Sequence, residues 1–317
     1  MGHGDVCLRY NAVMLRVLII GAGDVAKRIL PLLVARCQIF AVLRNPEHAE
    51  WWRDHGARPV LADLDNAASL RRLCGLLRVA HWVIYLAPPA ERSGRDADVD
   101  VRLRRLLTLA GPQQGGRSLP QRWAYISTTG VYGDLKGEWA NETQACRPKT
   151  ARGQRRCDAE QRLRAFGKHP ARSISVLRVP GIYASDRLPL ARIKAGVATL
   201  KDEDDVYTNH IHADDRADIV VAALRYGKSN RVYHAVDDSD LRMGAYFDVV
   251  ADTFSLPRSR RISRQDAMTE ISPALLSFMS ESRRLTNHRM KDELKVRLKY
   301  PTVHDGLREA RQLSSLP

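Results

Sequence analysis

The segment RVLII at 16–20 runs directly into GAGDVA at 21–26. It is strand-length, apolar and closed by two glycines, and a helical repeat follows. A strand that is apolar at nearly every position has no face for water, so it belongs inside a sheet covered on both sides. Gly21 permits the tight turn, Gly23 lets a phosphate approach the backbone, and Ala26 lets helix and strand pack closely. Asp24 and Val25 fall in the first helical turn, where free N–H groups and the helix dipole favour an anion. The alternative for the same residues is a structural turn with no ligand.

The alternation continues through the first half. QIFAVL (38–43), RPVLAD (58–63), HWVIYLA (81–87), RWAYIS (122–127) and SISVLR (173–178) read as strands, with RVYHAV (231–236) as a late one. PEHAEWWRDHG, NAASLRRLCGLL (66–77) and ADVDVRLRRLLTLA (97–110) read as helices, with Leu70, Leu73 and Leu77 on one face. This pattern predicts an α/β fold, a Rossmann-type doubly wound parallel sheet with right-handed crossovers. After about residue 180 the alternation breaks down. The expected division is a nucleotide-binding Rossmann domain over 14–178, with 211–236 returning to the sheet. Residues 179–210 and 237–317 would form a smaller C-terminal substrate lobe. GPQQGGRS at 111–118 reads as a flexible loop.

The second strand ends Leu43-Arg44-Asn45-Pro46. An NAD site usually offers Asp or Glu there to grip the ribose 2′-OH, whereas Arg44 suits a 2′-phosphate, so NADP fits better than NAD. A solvated turn arginine is the alternative. Asn45 adjoins this position. Asp63 and Leu64, after the third strand, are placed to meet an adenine ring. Ala87 and Pro88, after the fourth, would pass beside the cofactor with little side-chain bulk.

Net charge is +15, and most of the 51 basic residues are arginines spread along the chain. PRSRRISR at 257–264 is the one dense knot. Such a spread is what a composition bias toward arginine would give; without a basic tail or interleaved aromatics it argues against nucleic acid, and an anionic small molecule fits the charge as well. No apolar run approaches the roughly 18 residues needed to cross a bilayer. The opening MGHGDVCLRYNAV lacks a signal-peptide core, and Met14 could serve as the start, so the expectation is cytoplasmic with no membrane contact. Five cysteines, an odd count without C-x-x-C, predict free thiols, no disulfide framework and no metal.

YISTTGVYGD at 125–134, taken with the glycine turn, resembles the extended short-chain dehydrogenase/reductase superfamily in its sugar-nucleotide epimerase/dehydratase branch. NETQACRP (141–148) is similar to that branch's Glu-Thr…Pro segment, and DAEQRL (158–163) to its Glu-containing helix. LRVPGIYA (177–184) resembles its Arg-x-Pro-x-x-Tyr segment, and NHIHADD (209–215) its Asn-x-Ile-His-x-x-Asp segment. LTNHRMKDEL and YPTVHDGL resemble its C-terminal ending, so the likeness runs from about residue 15 to 310. It implies an NAD(P)-binding epimerase, dehydratase or reductase acting on a nucleotide sugar or small carbonyl compound. A homodimer is compatible with it, although no residue is singled out for one.

The family's general acid/base is a tyrosine four residues before a lysine that lowers its pKa and holds the nicotinamide ribose. A Ser or Thr after the fifth strand completes the set. Counted back from Glu160, the tyrosine position is Arg152 and the lysine position is Arg156, while the hydroxyl is kept as Thr128. Ile20 and Ala26 replace the first and last glycines of the branch's turn. The chain therefore resembles the superfamily's atypical subgroup, which keeps the fold without the Tyr/Lys pair. Arginine cannot exchange protons near neutral pH, but it grips phosphate or carboxylate in bidentate fashion.

Positions 152, 156, 159, 163 and 166 share one helical stripe, so both arginines are expected to face the cleft. Arg156 would keep the ribose- or phosphate-holding role and Arg152 would bind a substrate anion. The alternative is that both snorkel to solvent. Thr128 is expected to donate a hydrogen bond to a substrate oxygen. Tyr132, Tyr183, His210 and His212 are the titratable groups near the matched segments. Of these, Tyr132 is expected to be structural and His212 to serve packing. The functional readings left open are an enzyme with a relocated acid/base, a non-catalytic NADP(H)-binding sensor or regulator, and, last, a nucleic-acid binder.

Overall fold

The structure, a computed structural model, describes residues 14–91, 93–111 and 119–314. The opening segment and most of the 111–118 loop lie outside the described residues. Seven parallel strands form the main sheet: β1 (Leu15–Ile20), β2 (Cys37–Leu43), β3 (Arg58–Leu61), β4 (Trp82–Tyr85), β5 (Gln121–Thr128), β6 (Arg172–Val179) and β7 (Arg231–His234). Their order is β7-β6-β5-β4-β1-β2-β3. The chain winds outward from β1 to β3, then crosses back to β4 on the other side of β1. That reversal opens a crevice at the C-terminal ends of β1 and β4, where doubly wound sheets bind ligands.

The apolar run of β1 is explained by what covers it. Val17 and Ile19 face one core, with α1 (Asp24–Leu33) and Trp52 of α2 (Ala49–Asp54). Leu18 and Ile20 face the other. The second core is roofed by α3 (Ala67–Leu70), α4 (Cys74–Val79), α5 (Val101–Leu109) and α6 (Ala151–Phe166). The helix expected over 66–77 is broken into α3, a 3₁₀ turn at Arg71–Leu73, and α4. Gly75, a poor helix former, sits beside the break. Leu70, Leu73 and Leu77 are nevertheless all buried.

Beyond the sheet come α7 (Leu190–Lys194), α8 (Ala213–Tyr226), α9 (Met243–Thr253), α10 (Arg264–Glu270), α11 (Pro273–Phe278), α12 (His288–Leu294) and α13 (Val303–Ser314). α8 returns to pack beside α1 in the first core. Met290 and Leu294 of α12 join that core as well, although the sequence grouped this segment with the lobe. Three smaller cores remain among the described residues, one of them formed by Val131, Tyr132, Ala140, Val236 and Leu285. Another holds Tyr183, Ile193, Phe247, Val303 and Leu307, and the third Leu200, Ile262, Ala267 and Met279. Short paired strands, such as 181–183 with 210–212, form separate two-stranded sheets beyond the main one. Asp215 accepts the N–H groups of Lys299 (2.7 Å) and Tyr300 (2.9 Å), fastening the NHIHADD segment to the C-terminal one. Asn287 donates to the Val236 carbonyl at 3.0 Å and closes the same seam.

Candidate active site

The glycine turn lies at the crevice. Gly21 has φ +101°, and a Cβ there would stand 2.7 Å from the Ala87 nitrogen. The end of β1 and the chain leaving β4 therefore touch backbone to backbone, which only glycine allows. Gly23 differs. Its φ is −101°, and a Cβ would meet nothing within 4 Å. Gly23 is also the N-cap of α1, and no side chain caps that helix. The first-turn N–H groups thus lack a side-chain acceptor beside open space, an arrangement that fits a dinucleotide's pyrophosphate.

The flanking residues are less uniform than the sequence suggested. Asp24 turns its carboxylate to Arg28 (3.4 Å), Arg187 (3.4 Å) and Arg216 (3.5 Å). Arg216 is buried, and burial pulls its guanidinium down to about 10. Val25 is half-buried against the first core. Arg44 is exposed at the end of β2 with no ion pair among the described residues. Asn45 accepts the Glu47 N–H at 3.0 Å and fixes the turn after it. Asp63 accepts the Asp65 N–H at 2.9 Å, while Leu64 is buried in the second core and directs its bulk there. Ala87 is buried against Gly21, and the Pro88 carbonyl accepts Arg102 Nη1 at 2.9 Å.

Between the sheet and the lobe lies a pocket of about 540 Å³, within the usual range for a small-molecule site. Thr128, Arg152, Arg187, His210, Tyr246 and Phe278 contribute to its wall. Arg187 links two regions, since it lines the pocket and pairs with Asp24 of the glycine turn. Thr128 Oγ1 accepts the Gly130 N–H at 3.2 Å, capping a 3₁₀ turn at Thr129–Tyr132. The Arg152 guanidinium stands 4.7 Å over the Phe278 ring and has no carboxylate in salt-bridge range among the described residues. Burial and then the neighbouring Arg156 lower its pKa.

Arg156 departs from expectation. It does not share the pocket wall with Arg152, although both lie on one stripe of α6. Its Nη1 donates to the Tyr125 hydroxyl (2.9 Å) and to the Ile126 carbonyl (2.8 Å). Burial opposes its charge, but Tyr125 and Asp100 outweigh it and raise its pKa overall. A long side chain on the helix's sheet-facing stripe reaches β5 before it reaches the cleft. Around it lie Tyr85, whose hydroxyl has no partner, and Asp100, whose carboxyl burial pushes upward. Sequence reasoning missed this polar cluster because four separate elements, α6, β5, β4 and the start of α5, supply it.

α6 itself is pinned by a buried ion pair, Glu160–Arg178 at 2.6 Å, to which Ser127 adds a hydrogen bond of 2.6 Å. The segments DAEQRL and LRVPGIYA thereby meet.

A TrkA-N domain model matches residues 17–92, and no curated protein matches the sequence. A functionally unknown conserved protein from Silicibacter pomeroyi is 26% identical over 95% of this chain and 99% of its own, with a TM-score of 0.74. dTDP-glucose 4,6-dehydratase from Bacillus anthracis, solved in complex with NAD, is 16% identical over 95% and 96%, with a TM-score of 0.73. UDP-glucose 4-epimerase from Thermotoga maritima, solved with UDP-glucose, is 17% identical over 94% and 98%, also at 0.73. The chain has the fold of the nucleotide-sugar epimerases and dehydratases.

Within this epimerase/dehydratase fold the four titratable candidates separate. The Tyr132 hydroxyl is buried between Arg178 (2.6 Å) and His234 (2.5 Å), and burial pushes it up to about 12. Tyr183 donates to the Thr302 carbonyl at 3.1 Å. His212 caps α8 and packs against Tyr300 with the rings tilted by 45°. His210 alone of the four lines the pocket, stacked on Tyr246 at 4.3 Å. Burial pulls its imidazole down to about 4, and its Nδ1 has no partner. Tyr207, Tyr246, Phe247 and Phe278 give the pocket its aromatic lining, drawn from lobe segments that carry no local motif.

The 257–264 knot is internally engaged. Arg258 pairs with Asp252 (2.7 Å), Arg261 with Asp248 (2.6 Å) and Arg260 with Glu270, while Arg264 donates to the Met279 carbonyl at 3.0 Å.

Proposed function

We propose that this chain binds NADP(H) across the C-terminal ends of β1 and β4. In the adjoining pocket it acts on a nucleotide sugar or small carbonyl compound that carries an anionic group. The observation that carries the reading is Gly23. A Cβ-free position stands in open space at the uncapped start of a ten-residue helix, joined to a pocket by Arg187. Gly21, Gly23 and the first-turn N–H groups at Asp24 and Val25 would hold the pyrophosphate, Arg44 the 2′-phosphate, and Asn45 and Asp63 the adenosine end. Leu64 would support that turn from the core. Ala87 and Pro88 would pass beside the ring with backbone only. A bound nicotinamide supplies hydride chemistry. The same reading places the protein in the cytoplasm; no helix among the described residues is long and apolar enough to cross a membrane.

In the pocket, Arg152 anchors the substrate's anion and Thr128 donates to its reacting oxygen. Arg156, held against β5, sets a fixed positive charge below the site. Neither arginine exchanges protons near neutrality. The relocated proton-handling role falls to His210, whose unpartnered Nδ1 sits in a neutral ring. The test is NADPH consumption with a panel of nucleotide sugars and small carbonyl acids. Turnover that Thr128→Val and Arg152→Ala each weaken supports the enzyme reading.

The two arginines at the Tyr and Lys positions, together with a strongly depressed His210, favour a second reading. The chain would then be a NADP(H)-binding sensor without chemistry. Tight cofactor binding with no turnover across the panel would select it.

A further inference from the structure

We propose that Cys146 and Cys157 form a peroxide-reactive dithiol, in which Cys146 is the attacked sulfur and Cys157 resolves it to a disulfide across the start of α6. The odd cysteine count and wide spacing predicted unpaired thiols, and the described cysteines are indeed free. The fold nevertheless brings two of them together. Cys146 lies in the exposed segment before α6 and Cys157 lies in its second turn. Arg178 Nη2, paired with Glu160 Oε2 at 2.6 Å, also stands 3.0 Å from Cys146 Sγ, and Cys157 precedes Glu160 by three residues on the same face of α6, so the two thiols lie on one side of the helix. Both segments also converge on one carbonyl, Val131 O, which takes the Arg147 N–H at 2.9 Å and the Cys157 thiol at 3.9 Å.

The two sulfurs have opposite environments. Cys146 is exposed, and Arg178 Nη2 stands 3.0 Å from its Sγ. Its neighbours are Cys157, Arg178, Arg164 and the Glu160 carboxylate. The neighbouring Cys157 thiol, and after it Arg178, bring a net downward shift against burial and Glu160. Cys157 is half-buried and shifted strongly upward, first by the neighbouring Cys146 and then by burial. An accessible, cation-stabilised thiolate beside a protonated thiol is the arrangement that redox-sensing cysteines require. The other described thiols differ. Cys37 is buried with its pKa raised by burial, and Cys74 is half-buried with no hydrogen bond or ion contact of its thiol among the described residues.

The chemistry balances with a hydroperoxide as oxidant. The Cys146 thiolate attacks one peroxide oxygen, the O–O bond breaks, hydroxide leaves, and Cys146 becomes a sulfenic acid. The Cys157 thiol then attacks the Cys146 sulfur, giving the disulfide and one water. The peroxide is reduced by two electrons and the thiol pair is oxidised by two. The closed loop contains Arg152 and Arg156, so oxidation would tether the segment that carries both. This inference does not depend on the cofactor reading.

The test treats the full chain with hydrogen peroxide, blocks remaining thiols with iodoacetamide and maps cysteines by mass spectrometry. The expected product is lighter by two hydrogens, links peptides containing Cys146 and Cys157, leaves Cys37 and Cys74 alkylated, and reverts with dithiothreitol. Before oxidation, Cys146 should alkylate at pH 7 on the order of tenfold faster than Cys74. In Cys157→Ser a dimedone adduct should accumulate on Cys146, whereas Cys146→Ser should leave Cys157 unlabelled. The proposal is overturned if both thiols stay alkylatable after peroxide, if oxidation stops at sulfinic acid on Cys146, or if Cys74 reacts as fast. The mapping of the unaltered chain needs no variant to fold.

Discussion

Two glycines two residues apart should respond to the same substitution in opposite ways. At Gly21, alanine would have to adopt φ +101° with its Cβ 2.7 Å from the Ala87 nitrogen. Backbone strain of about 1–3 kcal/mol adds to crowding of about 1–3 kcal/mol. A chain of this size loses roughly 2–4 °C of melting temperature per kcal/mol, so Gly21→Ala should lower Tm by on the order of 10 °C. At Gly23 the backbone is already extended and a Cβ meets nothing. A small loss of N-cap quality is offset by about 0.4–1 kcal/mol from reduced freedom of the unfolded chain. Gly23→Ala should therefore melt within about 2 °C of the unaltered protein. Its new methyl group nevertheless projects where the pyrophosphate would lie, so NADPH affinity should fall by roughly tenfold or more, about 1.4 kcal/mol. Thermal melts and calorimetric titrations on both variants separate the two effects. If Gly23→Ala binds NADPH as the unaltered protein does, the open space is not a cofactor cradle, and the reasoning fails.

Other outcomes follow from the same structure. Glu160→Gln leaves Arg178 buried without its carboxylate and should cost about 3–5 kcal/mol in urea unfolding; a cost below about 1 kcal/mol would contradict the role given to that pair. His210, pulled down to about 4 from an ordinary value near 6.5, stays neutral when folded and protonates when unfolded. Stability should thus fall as pH drops from about 6.5 to 4, by about 3 kcal/mol from this group. Asp237, raised by burial to about 7, acts in the opposite sense, its contribution fading as pH rises through that value. Comparing unfolding of the unaltered chain with His210→Gln isolates the imidazole, and identical pH slopes would refute its assignment. Arg152→Ala should raise KM for anionic substrates by roughly tenfold or more, with Tm nearly unchanged; equal effects on uncharged substrates would remove the anion-binding role.

The main sheet was readable because parallel strands buried on both faces must be apolar at consecutive positions, as Val17 to Ile20 are. The glycine turn was readable for a related reason, since a backbone-to-backbone contact such as Gly21 with Ala87 leaves a fixed residue signature. The lobe was opaque. Its strands are two or three residues long and exist only through tertiary pairing, such as 181–183 with 210–212, so no local period marks them. Within the site, positions were legible but destinations were not. The helical stripe put Arg152 and Arg156 on one side of α6, yet only Arg152 reaches the pocket wall, while Arg156, one turn along, donates to the Ile126 carbonyl. Likewise the spacing of Cys146 and Cys157 gave no sign of their meeting, because the turn into α6 that joins them is set by contacts with Val131. His210 emerged as a pocket residue only once Tyr246 was seen to stack on it.

The most direct measurement is a calorimetric titration of the purified protein with NADPH and with NADH, repeated on Arg44→Ala. The account predicts that NADPH binds at least about tenfold more tightly than NADH, and that Arg44→Ala removes the difference while NADH binding is unchanged. Binding of neither nucleotide would contradict the account outright. Equal binding of both would leave the cradle standing and overturn the role of Arg44.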